Sequence, residues 1–445
     1  MSENVLALLQ RFKNCLNIKF KNLITSDFFR AGFVLTAMGF VTGLLGYLYQ
    51  ILIGRFLNST ELGLYSAIIS LGTIFSAPLS TITLITSKKI SLFRANRDIL
   101  SMRKAGKQMA LYIIKGSVFF LLIIYTIINQ LQEYLNNSSQ YSIWIFSGIV
   151  IATAFSSLNS GFFQGLQKFN IYISLGLIWA VLRIFGAFIL IALCGLGVDG
   201  ALGGALLSQL LVCLLSFYLI ANYIFQNNEI LTLLDVGEPK ERHSSSKDIL
   251  LTVAATTSFV MMSQLDVIMA NQFFAPEIAS QYAAAAILGK AVLYVPGGLV
   301  FALFPMVISN DANQISSKDL IKQAIATTLI LCLPICICYF FFGRGLVEFF
   351  YGNKYPIAGE LLSYYGFAIL PMSIIMVMEH FLLAKGRILF TTIFALMVPV
   401  QIAAIFLWHQ SLFILMGIVF VVGSAAVLIG LSILGIENKR KPVLI

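Results

Sequence analysis

Several ionisable side chains lie inside long apolar segments of this sequence, where water cannot stabilise their charge. These residues are Arg55, Lys115, Arg183, Asp266, Lys290, Glu379 and His380. A charge at such depth is retained mainly where it faces other protein groups or a water-filled path. The residue types and their positions therefore predict the binding of a charged ligand, or the movement of an ion, within a membrane.

The cations predict a site for an anion. Lys290 lies in the middle of one apolar segment, and Arg183 is about halfway between the ends of another, too deep to reach the interface. Arg55 lies near one end of the first segment, where it either binds the ligand or extends to the headgroup region. We predict that Lys290, Arg183 and Arg55 bind the substrate, whereas Lys115 reaches the inner interface.

Asp266 has two interpretations. It lies beside a polar stripe that includes Gln264, and such a stripe is typical of a helix face in contact with water. Asp266 either lines a cavity, where it pairs with a cation or carries a coupling ion, or it forms a structural ion pair with Lys290 or Arg55. For Lys290 the alternatives are likewise a place in the cavity wall or an ion pair with Asp266.

Glu379 and His380 are adjacent ionisable groups in a later apolar segment. Neighbours on a helix point about 100° apart, so one partner cannot face both side chains. Histidine changes its charge near physiological pH, which suits a proton relay, although a hydrogen bond to a neighbouring helix is the commoner use. We predict that Asp266, Glu379 and His380 couple the activity to H⁺ or Na⁺, and we predict no metal or organic cofactor.

Hydroxyl side chains recur every three or four residues along one segment. They are Ser66, Ser70, Thr73, Ser76, Ser80 and Thr83, and the spacing continues to Ser87. This spacing places them on one face of a helix. The face is either a packing surface, with hydroxyls bonded to carbonyls of their own helix, or a cavity wall that offers hydrogen bonds to a hydrated ligand. We favour the cavity wall.

The composition requires that these residues be carried by membrane-spanning helices. Hydrophobic residues form 59% of the 445 residues and charged residues 11%, whereas a soluble domain carries about 25% charged residues. Apolar segments long enough to cross about 30 Å of hydrocarbon separate the charges. The predicted spans are 31–55, 62–87, 107–129, 141–164, 171–194, 200–225, 249–272, 279–308, 320–342, 358–384, 388–408 and 411–435.

The two halves of the sequence repeat a pattern. GRFLNSTELGLYSA, which starts at Gly54, aligns with NQFFAPEIASQYAA, which starts at Asn271, so that Tyr65 falls against Tyr282. Tandem repeats in a membrane protein predict two bundles around a central path. We predict an all-α polytopic membrane protein with about twelve spans in two pseudo-symmetric six-helix bundles. Its segments are an amphipathic cytoplasmic segment 1–30, bundles 31–225 and 249–435, a cytoplasmic linker 226–248 and a basic tail 436–445.

The distribution of basic residues predicts the orientation. Most Lys and Arg residues fall at one set of span ends, including the cluster 88–107, and the opposite ends hold only Arg55, Arg344 and Lys354. Since basic residues favour the cytoplasmic side, both termini are predicted to be cytoplasmic in a multi-pass membrane protein. The net charge of +10 is explained by these loops, so we predict no nucleic-acid partner.

The repeated segments carry a family resemblance. GRFLNSTELGLYSAIISL and QLDVIMANQFFAPEIASQYAAAAILGKAVLYVPGGLVFALFP resemble the polysaccharide transporter branch, with its Wzx-type flippases, of the multidrug/oligosaccharidyl-lipid/polysaccharide exporter (MOP) superfamily. The resemblance implies a V-shaped, MATE-like pair of bundles that opens alternately to either side. It also implies a cationic cavity, to which Arg55, Arg183 and Lys290 would contribute.

The same resemblance implies the substrate and the partners. Members of this branch move polyprenyl-diphosphate-linked oligosaccharides to the outer leaflet, so the expected partners are that glycan, membrane lipids, and a polysaccharide polymerase with its chain-length machinery. One alternative is an ion-coupled drug or metabolite antiporter of the same fold, whose cavity would be mainly acidic. Another is a membrane glycan polymerase or ligase, but the outer loops are short for a catalytic site. We therefore predict a transporter that is not an enzyme.

Overall fold

The computed structural model describes residues 27–96, 98–135, 139–226, 246–296, 318–384 and 388–436. The predicted N-terminal segment lies outside these residues up to position 26, as do most of the linker and nearly all of the tail. Every regular element in the described ranges is helical, which confirms the predicted all-α fold class.

Six long helices form the first half. They are α1 (Asp27–Phe56), α2 (Glu61–Ala95), α3 (Ile99–Tyr134), α4 (Gln140–Gly165), α5 (Phe169–Phe188) and α6 (Gly197–Gln226). A π-helical turn, Ile189–Leu193, continues α5. Side chains cap two of these helices: Asp98 accepts from the backbone N–H of Ser101 at the start of α3, and Ser139 from that of Tyr141 before α4.

Within its described residues the second half has six helices longer than four residues. They are α7 (Ser246–Phe273), α8 (Pro276–Gly289), α9 (Lys318–Tyr351), α10 (Ala358–Ala384), α11 (Ile388–Leu407) and α12 (Leu412–Ile436). Helix α8 ends inside the predicted span 279–308, and a short turn, Ala291–Tyr294, follows it. Lys290 therefore lies between two helical segments, within the predicted span.

Apolar length makes most of these helices able to cross a membrane. Nine helical stretches in the described part of the chain are long and apolar enough to do so, and Thr392–Leu407 is a shorter apolar helix. The exact number of twelve spans stays a prediction. Helices α2 and α3 extend beyond the predicted spans 62–87 and 107–129, so the basic cluster lies mostly on helical extensions, because the polar sequence there still favours a helix.

The helix pairing shows the internal repeat directly. In the first half α1 packs on α5, α2 on α4, and α6 on both α4 and α5. In the second half α7 packs on α11, α8 on α10, and α12 on both α10 and α11. Each pair thus recurs six helices later, as expected for two bundles with the same internal arrangement.

The halves meet where α2 packs against α7 and α8. At the end of the molecule that is predicted to be extracytoplasmic, the backbone N–H of Gly63 donates to Ser280 Oγ over 2.9 Å, and the Tyr355 hydroxyl donates to the carbonyl of Gly54 over 3.1 Å. A Cβ atom on Gly63 would lie 3.0 Å from the backbone nitrogen of Ser280. Glycine therefore permits the close approach of the halves at this end.

Candidate functional site

A buried carboxylate forms the centre of the candidate site. Asp266 on α7 has no exposed surface, and its Oδ2 accepts hydrogen bonds from Tyr282 of α8 at 3.0 Å and from Tyr365 of α10 at 2.5 Å. Its Oδ1 lies 3.3 Å from Nζ of Lys290. Both oxygens thus have donors, as a buried carboxylate requires.

Lys290 links this carboxylate to the first half of the molecule. Its Nζ donates to Gln264 Oε1 over 2.9 Å, and the same oxygen accepts from Ser70 of α2 at 3.1 Å. The side chain of Lys290 keeps 12% of its surface exposed. We call Asp266, Lys290, Gln264, Tyr282 and Tyr365 the Asp266 cluster. Lys290 and Gln264 are the members of the cluster that keep partly exposed surface.

The end of α8 positions the cluster. The backbone N–H of Lys290 bonds to the carbonyl of Ala286 at 2.9 Å, which closes the last turn of the helix. A Cβ atom on Gly289 would lie 2.3 Å from Cδ1 of Tyr365. Because Gly289 has no side chain, the Tyr365 ring fits beside the helix end and its hydroxyl reaches Asp266.

Arg183 occupies a second, separate position on α5. Its guanidinium lies over the rings of Tyr49 and Trp179, at 3.9 and 4.4 Å from their centroids, and its Nη2 donates to the carbonyl of Gly46 over 3.4 Å. Its Nε is buried without an acceptor among the described residues. Within the same residues no carboxylate lies within 4.0 Å of this guanidinium. Two aromatic faces therefore hold a cation that has no counter-charge in the described part of the chain.

The first half meets the second beside this cation. Tyr47 follows Gly46 in the sequence, and its hydroxyl donates to the carbonyl of Leu288 over 2.9 Å. The rings of Tyr47 and Tyr294 make an edge contact, with their centroids 6.2 Å apart. Arg183 consequently lies near the seam between the halves, which is where a central path would run.

The other predicted cation is not brought to this region. Arg55 is exposed at the end of α1, and its backbone carbonyl accepts a hydrogen bond from Lys354 Nζ. This position fits the alternative in which the side chain extends to the interface. Lys115 is exposed on α3, in agreement with its predicted place near the interface.

The hydroxyl stripe lies on α2, but its members differ in surroundings. Thr73, Ser76 and Ser80 donate to carbonyls of their own helix at 2.7 to 2.9 Å. Ser66 is buried without a partner among the described residues, and Thr83 donates to the carbonyl of Ser157 on α4 over 2.9 Å. Ser70 alone joins the Asp266 cluster. The bonding of the remaining members fits the packing alternative better than a continuous cavity wall.

Glu379 is the most unusual acid in the second half. It is 1% exposed on α10, and neither carboxylate oxygen has a hydrogen-bond partner in the part of the chain that the structure describes. His380 is half-buried, and its Nδ1 lies 2.9 Å from the carbonyl of Met376 on the same helix. Among the described residues, neither Glu379 nor His380 forms a hydrogen bond with the Asp266 cluster. The three residues predicted to couple the activity to an ion therefore do not form one site.

The sequence reasoning missed the tyrosines. Tyr365 lies 99 residues from Asp266 in the sequence, and no spacing rule connects them. The repeat could have identified Tyr282, because it aligns with the buried Tyr65. At the offset of 217 residues that separates Gly63 from Ser280, the counterpart of Asp266 is Tyr49. The two halves thus carry different groups at equivalent positions.

A family profile and several solved structures relate the chain to known proteins. The profile of a family described as "Polysaccharide biosynthesis protein" matches residues 108–358. A comparison with curated protein sequences finds no match.

Solved structures resemble the whole chain. An inward-facing multidrug resistance MATE family transporter of the MOP superfamily has a TM-score of 0.70 and 14% identity, over 90% of this chain and 96% of that one. The outward-facing form of such a transporter gives 0.60, at 14% identity over 94% and 98% of the chains. The lipid II flippase MurJ, in an inward closed conformation, gives 0.62, at 14% identity over 92% and 88%. These similarities confirm the predicted MATE-like fold.

Proposed function

The chain belongs to the polysaccharide biosynthesis protein family and has the fold of the MOP superfamily transporters, and from this premise we propose that it is a lipid-linked oligosaccharide flippase. In this proposal it moves a polyprenyl-diphosphate-linked repeat unit of an O-antigen, capsule or exopolysaccharide from the inner to the outer leaflet of the cytoplasmic membrane. Both of its termini face the cytoplasm, and it performs no covalent chemistry.

The observation that carries the proposal is the guanidinium of Arg183. A cation without a counter-charge is costly at membrane depth unless a ligand or water stabilises it. Tyr49 and Trp179 offset part of that cost, but they leave the charge of Arg183 uncompensated. A diphosphate supplies two or more negative charges, and pairs of its oxygen atoms can accept two parallel hydrogen bonds from a guanidinium. The site therefore fits an anionic headgroup better than a cationic drug.

The Asp266 cluster supplies a second cation, Lys290, whose charge is paired with Asp266. In the structure Asp266 neutralises Lys290. If a coupling H⁺ or Na⁺ binds Asp266, the carboxylate no longer holds the ammonium, and Lys290 becomes available to the diphosphate. Binding of the diphosphate and binding of the ion then favour one another, because each weakens the pair between Lys290 and Asp266. The polyprenyl chain stays in the lipid, and a polymerase with its chain-length machinery uses the flipped unit.

Lipid extraction from cells with and without the protein tests the proposal. We expect the complete repeat unit on its polyprenyl-diphosphate carrier to accumulate in the deletion strain, measured by mass spectrometry. Arg183→Ala should reproduce the accumulation at normal membrane abundance. Lys115→Ala is the matched control, since it removes an exposed cation from the same half.

Two outcomes would contradict the proposal. Full complementation by Arg183→Ala would remove the role of this cation. An absence of carrier-linked glycan in the deletion strain, together with altered sensitivity to cationic drugs, would indicate the antiporter instead.

A further inference from the structure

A cavity of about 430 Å³ lies within the first half, away from the seam between the halves. It is bounded by the beginning of α3 and by the ends of α4 and α6, with Gly106, Leu158, Phe162 and Ile220 among the residues that line it. The three helix ends belong to the side that is predicted to be cytoplasmic. The volume falls in the range of about 300–1,000 Å³ that is typical of small-molecule sites.

The rim of this cavity is basic and its interior is apolar. Arg103 and Lys107, four residues apart on α3, both line it and are both exposed. Side chains at this spacing lie on one face of a helix. In the described residues neither cation has a carboxylate within 4.0 Å. The cavity thus places two unpaired positive charges beside a space lined mainly by Leu158, Phe162 and Ile220.

Glycine and a buried amide complete the lining. A Cβ atom on Gly106 would lie 2.8 Å from the ring of Phe162, so glycine lets α3 approach that ring. Asn159 is 2% exposed, and its amide nitrogen donates to the carbonyl of Cys213 over 3.3 Å. Its Oδ1 lacks a donor among the described residues. A buried acceptor without a donor indicates a missing ligand or water.

We propose that this cavity binds an anionic membrane phospholipid from the cytoplasmic leaflet. The lipid phosphate lies between Arg103 and Lys107, one acyl chain enters the apolar space, and a hydroxyl of the headgroup is the donor for Asn159. Basic pockets between spanning helices on this side of a membrane suit anionic headgroups. The site depends on the orientation of the chain but not on the proposed transport, because it lies apart from the Asp266 cluster and from Arg183.

Native mass spectrometry of the purified full-length protein tests this site. The protein is titrated separately with phosphatidylglycerol, with phosphatidylcholine of the same chain length and with a polyprenyl phosphate. We expect phosphatidylglycerol to bind most tightly. The variant Arg103→Gln/Lys107→Gln should bind it roughly 30-fold more weakly, since each cation near the membrane surface contributes about 1 kcal/mol.

Two further variants make the result specific. Lys104→Gln removes the same charge from an exposed neighbour that is outside the lining, and it should leave the affinity unchanged. Ala110→Phe puts bulk into the cavity without changing its charge, and it should abolish retention of the phospholipid. Thermal unfolding of each variant verifies that the fold is intact.

The opposite results overturn the assignment. They are equal retention of phosphatidylcholine, an equal loss of affinity in Lys104→Gln, or unchanged affinity in Arg103→Gln/Lys107→Gln. Preferential retention of the polyprenyl phosphate would also overturn it, because the cavity would then hold the carrier lipid and not a bulk phospholipid.

Discussion

The ion pair between Asp266 and Lys290 predicts a specific coupling in stability. Asp266→Asn keeps a hydrogen-bond acceptor near Lys290 but removes the negative charge that pairs with its ammonium inside the bundle. At 3.3 Å and an effective dielectric constant of about 20, the attraction between the two charges is about 5 kcal/mol. Water at the 12% exposed lysine side chain screens part of it. We therefore expect Asp266→Asn to lower the free energy of unfolding by about 3 kcal/mol.

The double variant measures the interaction between Asp266 and Lys290 apart from their contacts with other residues. Lys290→Met leaves Asp266 with the two tyrosine donors, so it should cost about 2 kcal/mol. If the costs were independent, Asp266→Asn/Lys290→Met would cost about 5 kcal/mol. We expect only about 3 kcal/mol, since the second substitution removes the charge that the first leaves unpaired. The coupling energy is then about 2 kcal/mol.

Reversible unfolding in mixed detergent–dodecyl sulfate micelles, followed by loss of helical circular dichroism, measures these free energies. Asp266→Asn combined with Lys115→Met is the matched control, and its costs should add because Lys115 is exposed on α3. Additivity within about 0.5 kcal/mol for the Asp266 and Lys290 variants would refute the ion pair as a unit of stability.

Two more predictions follow from burial. Gly204→Ala should prevent recovery of monodisperse protein, because its Cβ would lie 2.5 Å from the backbone nitrogen of Ala187. The control Gly43→Ala should be tolerated, since a Cβ atom at that position meets open space. Size-exclusion chromatography of both variants tests this prediction. Glu379→Gln should raise the thermal unfolding midpoint at pH 8, because it removes a buried carboxylate that has no hydrogen-bond donor among the described residues. A lowered midpoint would contradict this prediction and would indicate a cationic partner for Glu379.

The helices could be predicted well from the sequence because apolar length alone determines them. The predicted span 358–384 coincides with α10, and the pairing of helices follows the repeat that was visible around Tyr65 and Tyr282. The exceptions have local causes. Helix α2 continues to Ala95 since polar residues remain helical beyond the hydrocarbon, and α8 ends at Gly289, well before the end of the predicted span.

The site could be predicted only in part. The type and depth of Asp266 and Lys290 identified both as candidate site residues, and an ion pair between them was one of the alternatives. Spacing does not give the rotation of a helix about its axis. For this reason the aromatic faces around Arg183, and the place of Tyr365, required the structure. The same ambiguity affected the hydroxyl stripe, of which only Ser70 reaches the charged cluster.

The difference between Tyr49 and Asp266 has a consequence for the history of the chain. Equivalent positions of a duplicated gene began with the same residue, and here one half now holds an aromatic ring beside a cation while the other holds a carboxylate. A chimera of two first halves would keep the helix pairing but would have no acid at this position. A chimera of two second halves would hold two ion pairs and lack the cation of Arg183. Duplication therefore supplied the helix arrangement twice, while the buried carboxylate is found in the second half and the cation between aromatic rings in the first, so neither half can replace the other.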